Sequence, residues 1–366
     1  MNLENNVEID LNDTPLLIVD IDIAEQNCRE MAKALNEHNI SWRPHIKTHK
    51  STYFAKKQLE WGADGITCSS VGEASIMAEA GINDIFIAYP IIGESKLRRF
   101  YSLCDKISNT SCLVNDINAA KQLSDFFSKR GKKAKVLLEI DGRMGRGGIP
   151  LEKLPEFVDA VLYMKGIDIR GVASFCGNAG KLAAEEERRE DARIEAENLL
   201  AGKEILISNG IKKPVVSGGS SVSSRYPDCL EGITESRAGT CIFNDMSHVA
   251  LGTCDLSQCA AYVRSTVISI PYKGRFVLDA GSKTLSSDLC KNPGYGYIVE
   301  LGRDAVIETL NEEHGMCNSK VEVEIGKILR IIPNHVCTAI NLQNSLIGYK
   351  DGGYFEIPIE ARGISK

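Results

Sequence analysis

The chain has 366 residues, of which 43% are hydrophobic and 25% charged, and its formal net charge is -6. That composition excludes a mainly disordered chain, and the length allows one large barrel with an addition, or two ordinary domains. The mildly acidic balance, without long basic runs, argues against nucleic acid or an anionic membrane as the main partner and leaves a small molecule.

Residues 1–12 are polar and acidic, with no export-signal pattern, and no later apolar stretch approaches bilayer length. A cytoplasmic location is expected. The twelve cysteines are scattered without a Cys-x-x-Cys pair, which predicts reduced thiols rather than a disulfide framework.

A β-rich run at 14–19 precedes a helical pattern at 23–35. Strand-like runs then follow at 42–47, 65–68, 85–88, 111–114, 135–140, 169–174, 214–217 and 233–236. Segments with apolar residues at helical spacing separate them, for example 71–80 and 117–127. Eight strands alternating with helices predict a closed parallel (β/α)8 barrel, an α/β fold, over residues 20–243. After residue 243 the helical periodicity largely disappears. Strand-like runs at 261–270, 275–279, 296–300, 321–325, 328–332 and 353–357 predict a second, mainly antiparallel β domain, formed by residues 1–19 and 244–366.

In a barrel of this kind, chemistry gathers at the C-terminal ends of the strands. The first strand ends in Arg43-Pro44-His45-Ile46-Lys47-Thr48-His49-Lys50. A solvated basic loop is the ordinary reading of such a run, but a lysine at a barrel mouth is also a candidate amine nucleophile toward an aldehyde, which singles out Lys47. The seventh strand ends in Ser217-Gly218-Gly219-Ser220, and the eighth in Arg237-Ala238-Gly239-Thr240. Small residues and free N–H groups suit a phosphate, and the end of the seventh strand is a preferred place for one. The loop Asp141-Gly142-Arg143-Met144-Gly145-Arg146 offers two arginines, either of which can fix a ring oxygen or a substrate anion. In the second domain, Pro333-Asn334-His335-Val336-Cys337 follows an apolar strand. If the strand continued, His335 and Cys337 would face one side and could share a metal ion with open positions. A packed structural pair is the alternative. The cluster Glu312-Glu313-His314-Gly315 has no place that the sequence assigns.

Together these motifs, with Asp13-Thr14-Pro15 and Asp279-Ala280-Gly281-Ser282-Lys283, resemble the pyridoxal-phosphate family of D-threonine aldolases and metal-dependent D-serine dehydratases, whose barrel is of the alanine racemase type. The resemblance runs nearly end to end. It implies that Lys47, rather than Lys50, forms the Schiff base with the cofactor and then serves as the Cα base. It implies that Arg146 approaches the cofactor's phenolic oxygen, that Ser217, Gly218, Gly219, Ser220, Gly239 and Thr240 hold the phosphate, and that His335 and Cys337 bind a divalent metal, zinc or manganese, near the substrate hydroxyl. It implies a homodimer.

The activity it implies is a lyase on β-hydroxy-D-amino acids. The expected form is a dehydratase of D-serine or 3-hydroxy-D-aspartate that yields a keto acid and ammonia. The alternatives are a D-threonine aldolase yielding glycine and an aldehyde, and an amino-acid racemase. In this family dehydratases tend to carry His-x-Cys where aldolases carry His-x-Asp, so Cys337 favours the dehydratase. The chain departs from its relatives after the sixth strand, where Ser174-Phe175-Cys176 stands in place of a His or Tyr. A single-barrel cofactor-binding protein without catalysis is a further alternative, against which the β domain and the His335/Cys337 pair speak.

Overall fold

The computed structural model describes residues 9–365. The chain divides into two compact units, one built from Cys28–Cys241 and the chain end from Gly363, the other from the chain up to Asn27 and Ile242–Arg362.

After β1 (Leu16–Asp20), which belongs to the second unit, eight parallel strands form the first. They are β2 (Ser41–Trp42), β3 (Ile66–Cys68), β4 (Asp84–Pro90), β5 (Asn109–Val114), β6 (Ala134–Ile140), β7 (Ile167–Ser174), β8 (Val215–Gly218) and β9 (Glu235–Ser236). The ladder runs β2-β9-β8-β7-β6-β5-β4-β3, and a parallel bridge from His45 to Thr67 closes it into a barrel. The predicted (β/α)8 architecture is therefore present. Its interior is packed: Phe86, Leu113, Leu137 and Ala173, one from each of four adjacent strands, form a buried layer with Ala88 and Val215 against it. Such layers make a solid core and leave the strand ends as the place for a site.

Local chemistry sets the helix starts. Ser70 Oγ accepts from Glu73 N–H at 3.1 Å while the Glu73 carboxylate accepts from Ser69 N–H at 2.7 Å, opening helix Val71–Glu79. Asp116 caps helix Ile117–Ser128 through Ala119 N–H at 2.9 Å. These are the usual solutions for the orphan N–H groups of a first turn. The long helix Glu185–Ser208 begins with three glutamates that complement its dipole, and it buries Ala192, Glu195, Ala196, Leu199 and Leu206.

The first strand differs from the expected 42–47. It ends at Trp42, and Ile46–Thr48 form a single 3-10 turn. Pro44 has no N–H to give the ladder, so the strand cannot continue through it. Arg43 is structural: it reaches Glu235 on β9, Nε to Oε2 at 2.8 Å, and pairs with Asp84 at the start of β4.

The second unit is a nine-stranded, mainly antiparallel sheet. It comprises β1, β10 (Ala261–Tyr272), β11 (Arg275–Leu278), β12 (Tyr297–Ile298), β13 (Ala305–Leu310), β14 (Gly315–Ser319), β15 (Ile328–Ile332), β16 (Ser345–Lys350) and β17 (Gly353–Pro358). The N-terminal strand joins this sheet as expected, antiparallel to β10 and parallel to β16. Two motifs of the resemblance meet here. Thr14 Oγ1 donates to Asp279 Oδ2 at 2.5 Å, and Ser265 Oγ donates to the other oxygen at 2.6 Å. The expected run 321–325 is not a strand; Val321 and Ile325 are exposed and lack a core to bury their side chains. Strands β13, β14 and β16 were not expected. Polar residues such as Glu308, Asn318 and Ser345 interrupt their apolar pattern.

Candidate active site

A cavity of about 550 Å³ opens at the C-terminal ends of the barrel strands, a volume suited to a small-molecule ligand. Four cations, Lys47, Lys96, Arg146 and Arg237, line it against one carboxylate, Glu139. The ligand it suits is therefore anionic. Phe175, from the loop after β7, is the centrepiece: Lys47 Nζ lies 5.4 Å from its ring centroid and Arg146 Cζ lies 4.7 Å from it. An amine and a guanidinium thus both lie over the Phe175 ring, a set of groups that fits a flat, charged ligand.

The structure separates Lys47 from Lys50 and Arg146 from Arg143. Lys47 lines the cavity, whereas Lys50 is committed to Glu73, Nζ to Oε1 at 3.3 Å, with the Glu73 side chain fully buried. Arg146 lines the cavity, whereas Arg143 pairs with Asp191 and donates to Cys176 Sγ at 3.3 Å. Cys176, the residue at the departure from the family pattern, is no acid or base at neutral pH: burial and then Glu195 and Asp191 push its thiol up to about 11. His45 lines the cavity, and its Nδ1 accepts the backbone N–H of Lys47 at 3.3 Å. Desolvation, then the charges of Lys47 and Arg237, holds its imidazole well below the ordinary value, so it is neutral. His49 is buried and neutral, lowered to about 4 by desolvation, with Nε2 bonded to Gln58 at 3.1 Å.

The predicted phosphate residues gather after β8 and β9. Ser217 is fully buried and its hydroxyl accepts from Arg237 Nη1 at 2.5 Å; Arg237 also donates to the Ser174 carbonyl. Gly218 closes β8 against Leu199. Gly219 has a φ of +72° and gives its N–H to Glu195. Ser220 gives its N–H to Ser223 Oγ at 2.8 Å. The N–H groups of Gly239 and Thr240 converge on a single oxygen, Ser221 Oγ, at 3.1 and 2.9 Å. A side chain at Gly239 would put its Cβ 2.4 Å from the His45 carbonyl oxygen, so the close packing there admits only glycine. Two N–H groups that converge on one oxygen are a donor arrangement of the kind that fits a phosphate oxygen.

In the second unit the strand predicted to carry His335 and Cys337 stops at Ile332. His335 is instead the extended N-cap residue of the short helix Val336–Asn341, and Cys337 stands in its first turn. Pro333 ends the ladder, as a residue without an N–H must at an interior strand. The two side chains still meet, with the Cys337 thiol hydrogen-bonded to His335. The sequence missed the residue that orients them. Asp245 is fully buried, accepts from Val336 N–H at 3.0 Å, and is bonded to His335 Nδ1 at 3.2 Å. Burial alone would raise its pKa, but hydrogen bonds from His335 and Val336 and the nearby His248 keep it below the usual carboxylate range.

Asp245 lies 90 positions from His335, and nothing local in the sequence pairs them. A carboxylate on Nδ1 leaves Nε2 and the Cys337 sulfur for a divalent ion, the usual second-layer arrangement of a metal-binding histidine. Among the described residues no group of three or more His, Cys, Asp or Glu side chains forms a complete metal cage. Glu312, Glu313 and His314 lie in the turn between β13 and β14 and Gly315 opens β14, with Glu313 paired to Lys283 at 2.8 Å.

Residues 19–247 match the family model "Alanine racemase, N-terminal domain", and residues 260–349 match "Putative serine dehydratase domain". The chain belongs to the alanine racemase N-terminal domain family. Within this family it is 30% identical over 364 residues to a D-threonine aldolase from Arthrobacter sp, covering 97% of this chain and 94% of that protein. It is also 30% identical over 346 residues to a D-threo-3-hydroxyaspartate dehydratase from Delftia sp. (strain HT23), covering 89% of this chain and 91% of that one. The crystal structure of a D-threonine aldolase from Filomicrobium marinum superposes with a TM-score of 0.88 at 27% identity, covering 96% of this chain and 97% of that one. The racemase-type barrel and the β domain are thus shared from end to end.

Proposed function

We propose that this protein is a pyridoxal-phosphate- and divalent-metal-dependent lyase of β-hydroxy-D-amino acids, acting as a dehydratase that releases a keto acid and ammonia. One observation carries the reading: Lys47 and Arg146 flank Phe175 in an anion-seeking cavity at the barrel mouth of a chain that matches lyases from end to end. In this reading residues 20–243 are the cofactor barrel, and residues 1–19 with 244–366 are the β domain that carries the metal motif. Lys47 is the cofactor lysine, Arg146 serves the phenolic oxygen, and Phe175 packs on the ring. Ser217, Gly218, Gly219 and Ser220, with Gly239 and Thr240, hold the phosphate, for which Ser221 Oγ would have to release the Gly239 and Thr240 N–H groups. His335 and Cys337 hold the metal, zinc by the softness of thiolate and imidazole.

When bound, pyridoxal phosphate supplies an electron sink at the substrate Cα, and a divalent ion supplies polarisation of the β-hydroxyl. The protein's own work is then limited and specific. Lys47 Nζ takes the Cα proton. Arg146 stays charged throughout and holds the ring oxygen anionic. Asp245 keeps His335 in one tautomer. Loss of the β-hydroxyl after Cα deprotonation is dehydration; cleavage of Cα–Cβ instead is the aldolase reaction. The two relatives are equally similar, one of each kind. The thiolate of Cys337, in the His-x-Cys form that goes with dehydratases in this family, favours dehydration. Scattered cysteines with no Cys-x-x-Cys pair support a reducing, cytoplasmic setting, and the racemase-type architecture supports a homodimer.

Product analysis on D-serine, D-threonine and 3-hydroxy-D-aspartate tests the assignment. Keto acid with ammonia is expected. Glycine with an aldehyde would replace the dehydratase by the aldolase, and formation of the L-enantiomer alone would overturn both. A second expected outcome concerns Gly239→Ala. With its Cβ forced 2.4 Å from the His45 carbonyl oxygen, the backbone must shift and the cofactor should dissociate at least roughly tenfold more readily, the cost of about one lost charge-assisted hydrogen bond. Dialysis followed by absorption spectroscopy reads this; unchanged retention would remove Gly239 from the phosphate site.

A further inference from the structure

Glu195 is a buried carboxyl that the proposed chemistry does not use. It lies on helix Glu185–Ser208, is 3% exposed, and its Oε1 accepts the Gly219 N–H at 3.0 Å. Its other oxygen, Oε2, is sealed from solvent with no hydrogen-bond partner. An ionised carboxylate oxygen in that position is costly, whereas a neutral carboxylic acid is tolerated. Gly219 itself cannot be replaced in kind: a Cβ at its φ of +72° would lie 2.7 Å from both Ser224 Oγ and Ser236 Oγ. The tether from Glu195 therefore sets where the turn after β8 begins, and Ser221, two residues on, is what meets the Gly239 and Thr240 N–H groups.

We infer that Glu195 is a positioning residue of this anion-binding turn, that it holds the turn through Gly219 as a neutral acid, and that phosphate retention weakens as Glu195 ionises. The inference rests on the cofactor reading above. The charges around the carboxyl come from several elements. Arg237, after β9, favours its ionised form, as do the Ser223 hydroxyl and the Gly219 N–H, while Asp191, one turn earlier on the same helix, opposes it and is itself paired with Arg143. The Cys176 thiol after β7 stays neutral, and Glu139 of β6 acts on Arg237. Burial dominates and pushes Glu195 up to about 7.

The sign follows directly. Below about pH 7 the group is neutral and the turn is uncharged beneath the phosphate. Above it, the turn would carry a negative charge, and a phosphate held there would already be close to a dianion, because its second pKa is about 6. By reciprocity, a phosphate bound beside the turn also keeps Glu195 protonated to higher pH.

The test compares pyridoxal phosphate with pyridoxal, which lacks only the phosphate, by absorption titration of the full-length protein between about pH 6.5 and about pH 8.5. The ratio of the two affinities isolates the phosphate, and Lys47 chemistry cancels. In the unmodified protein the ratio should fall on the order of tenfold across this range, the effect of one pKa unit of coupling. Glu195→Gln, which keeps an acceptor for Gly219 and cannot ionise, should hold the ratio within about threefold, near its low-pH value. Glu195→Ala should lower the ratio at every pH. Parallel pH courses in the unmodified protein and Glu195→Gln, or an unchanged ratio in Glu195→Ala, would overturn this inference alone. Failure of the unmodified protein to bind either vitamer would overturn the cofactor reading beneath it.

Discussion

Lys47→Ala is expected to abolish the near-visible absorption of bound cofactor and to lower lyase turnover by at least about a thousandfold, since it removes both the covalent amine and the Cα base. Lys50→Ala is expected to keep the absorption band and to fail differently. Glu73 is fully buried and Lys50 is its ion-pair partner, so removing the lysine strands a carboxylate in the interior at about 3 kcal/mol. A lower urea midpoint with an intact spectrum is the expected signature. The two variants thus separate chemistry from folding within four residues of chain. A Lys47→Ala protein that retained the band would move the site.

Substitution of the proposed metal ligands carries the second large effect. His335→Ala and Cys337→Ala should each reduce bound metal, measured by mass spectrometry after gel filtration, to a small fraction of the protein. Lyase turnover should fall by at least roughly a thousandfold, because Lewis-acid activation of the hydroxyl is worth several kcal/mol. The absorption of the bound cofactor should remain, since Lys47 and the phosphate turn belong to the barrel. Asp245→Asn keeps the shape and removes the charge behind His335, and metal affinity should weaken about 10- to 100-fold. Full metal content in the His335→Ala protein would mean that the ion is held elsewhere and would sink the assignment.

Much of the fold was legible because barrel strands are short apolar runs between turn signals, and helices between them repeat at 3.6 residues. The eight expected strands match those observed apart from their ends. The first strand and the His335 segment were both read as too long, and proline is the reason in each case: Pro44 and Pro333 break the ladder while the apolar pattern runs on. At His335 the expected alternation of a strand was the wrong geometry, yet the two side chains still interact, because His335 is an extended N-cap residue rather than part of the helix that carries Cys337. The run 321–325 had strand composition but no core to face, and burial decides such runs more than propensity does.

The sequence by itself determined the class of site: a basic run at a strand end, glycine turns at two others, and an imidazole with a thiol in a β-rich second domain. Only the tertiary structure showed which members of each set line the cavity and which are paired elsewhere. Lys50 and Arg143 have the same chemistry as Lys47 and Arg146, but buried carboxylates on other elements claim them. Gly219 has the N–H expected of a phosphate ligand, but a glutamate 24 positions earlier accepts it. Asp245 carries no local signal at all, because its partner His335 comes 90 residues later. A residue's type sets what it can do, but its availability depends on which charges and hydrogen-bond partners the fold brings within about 3 Å. Those partners are distant in the chain.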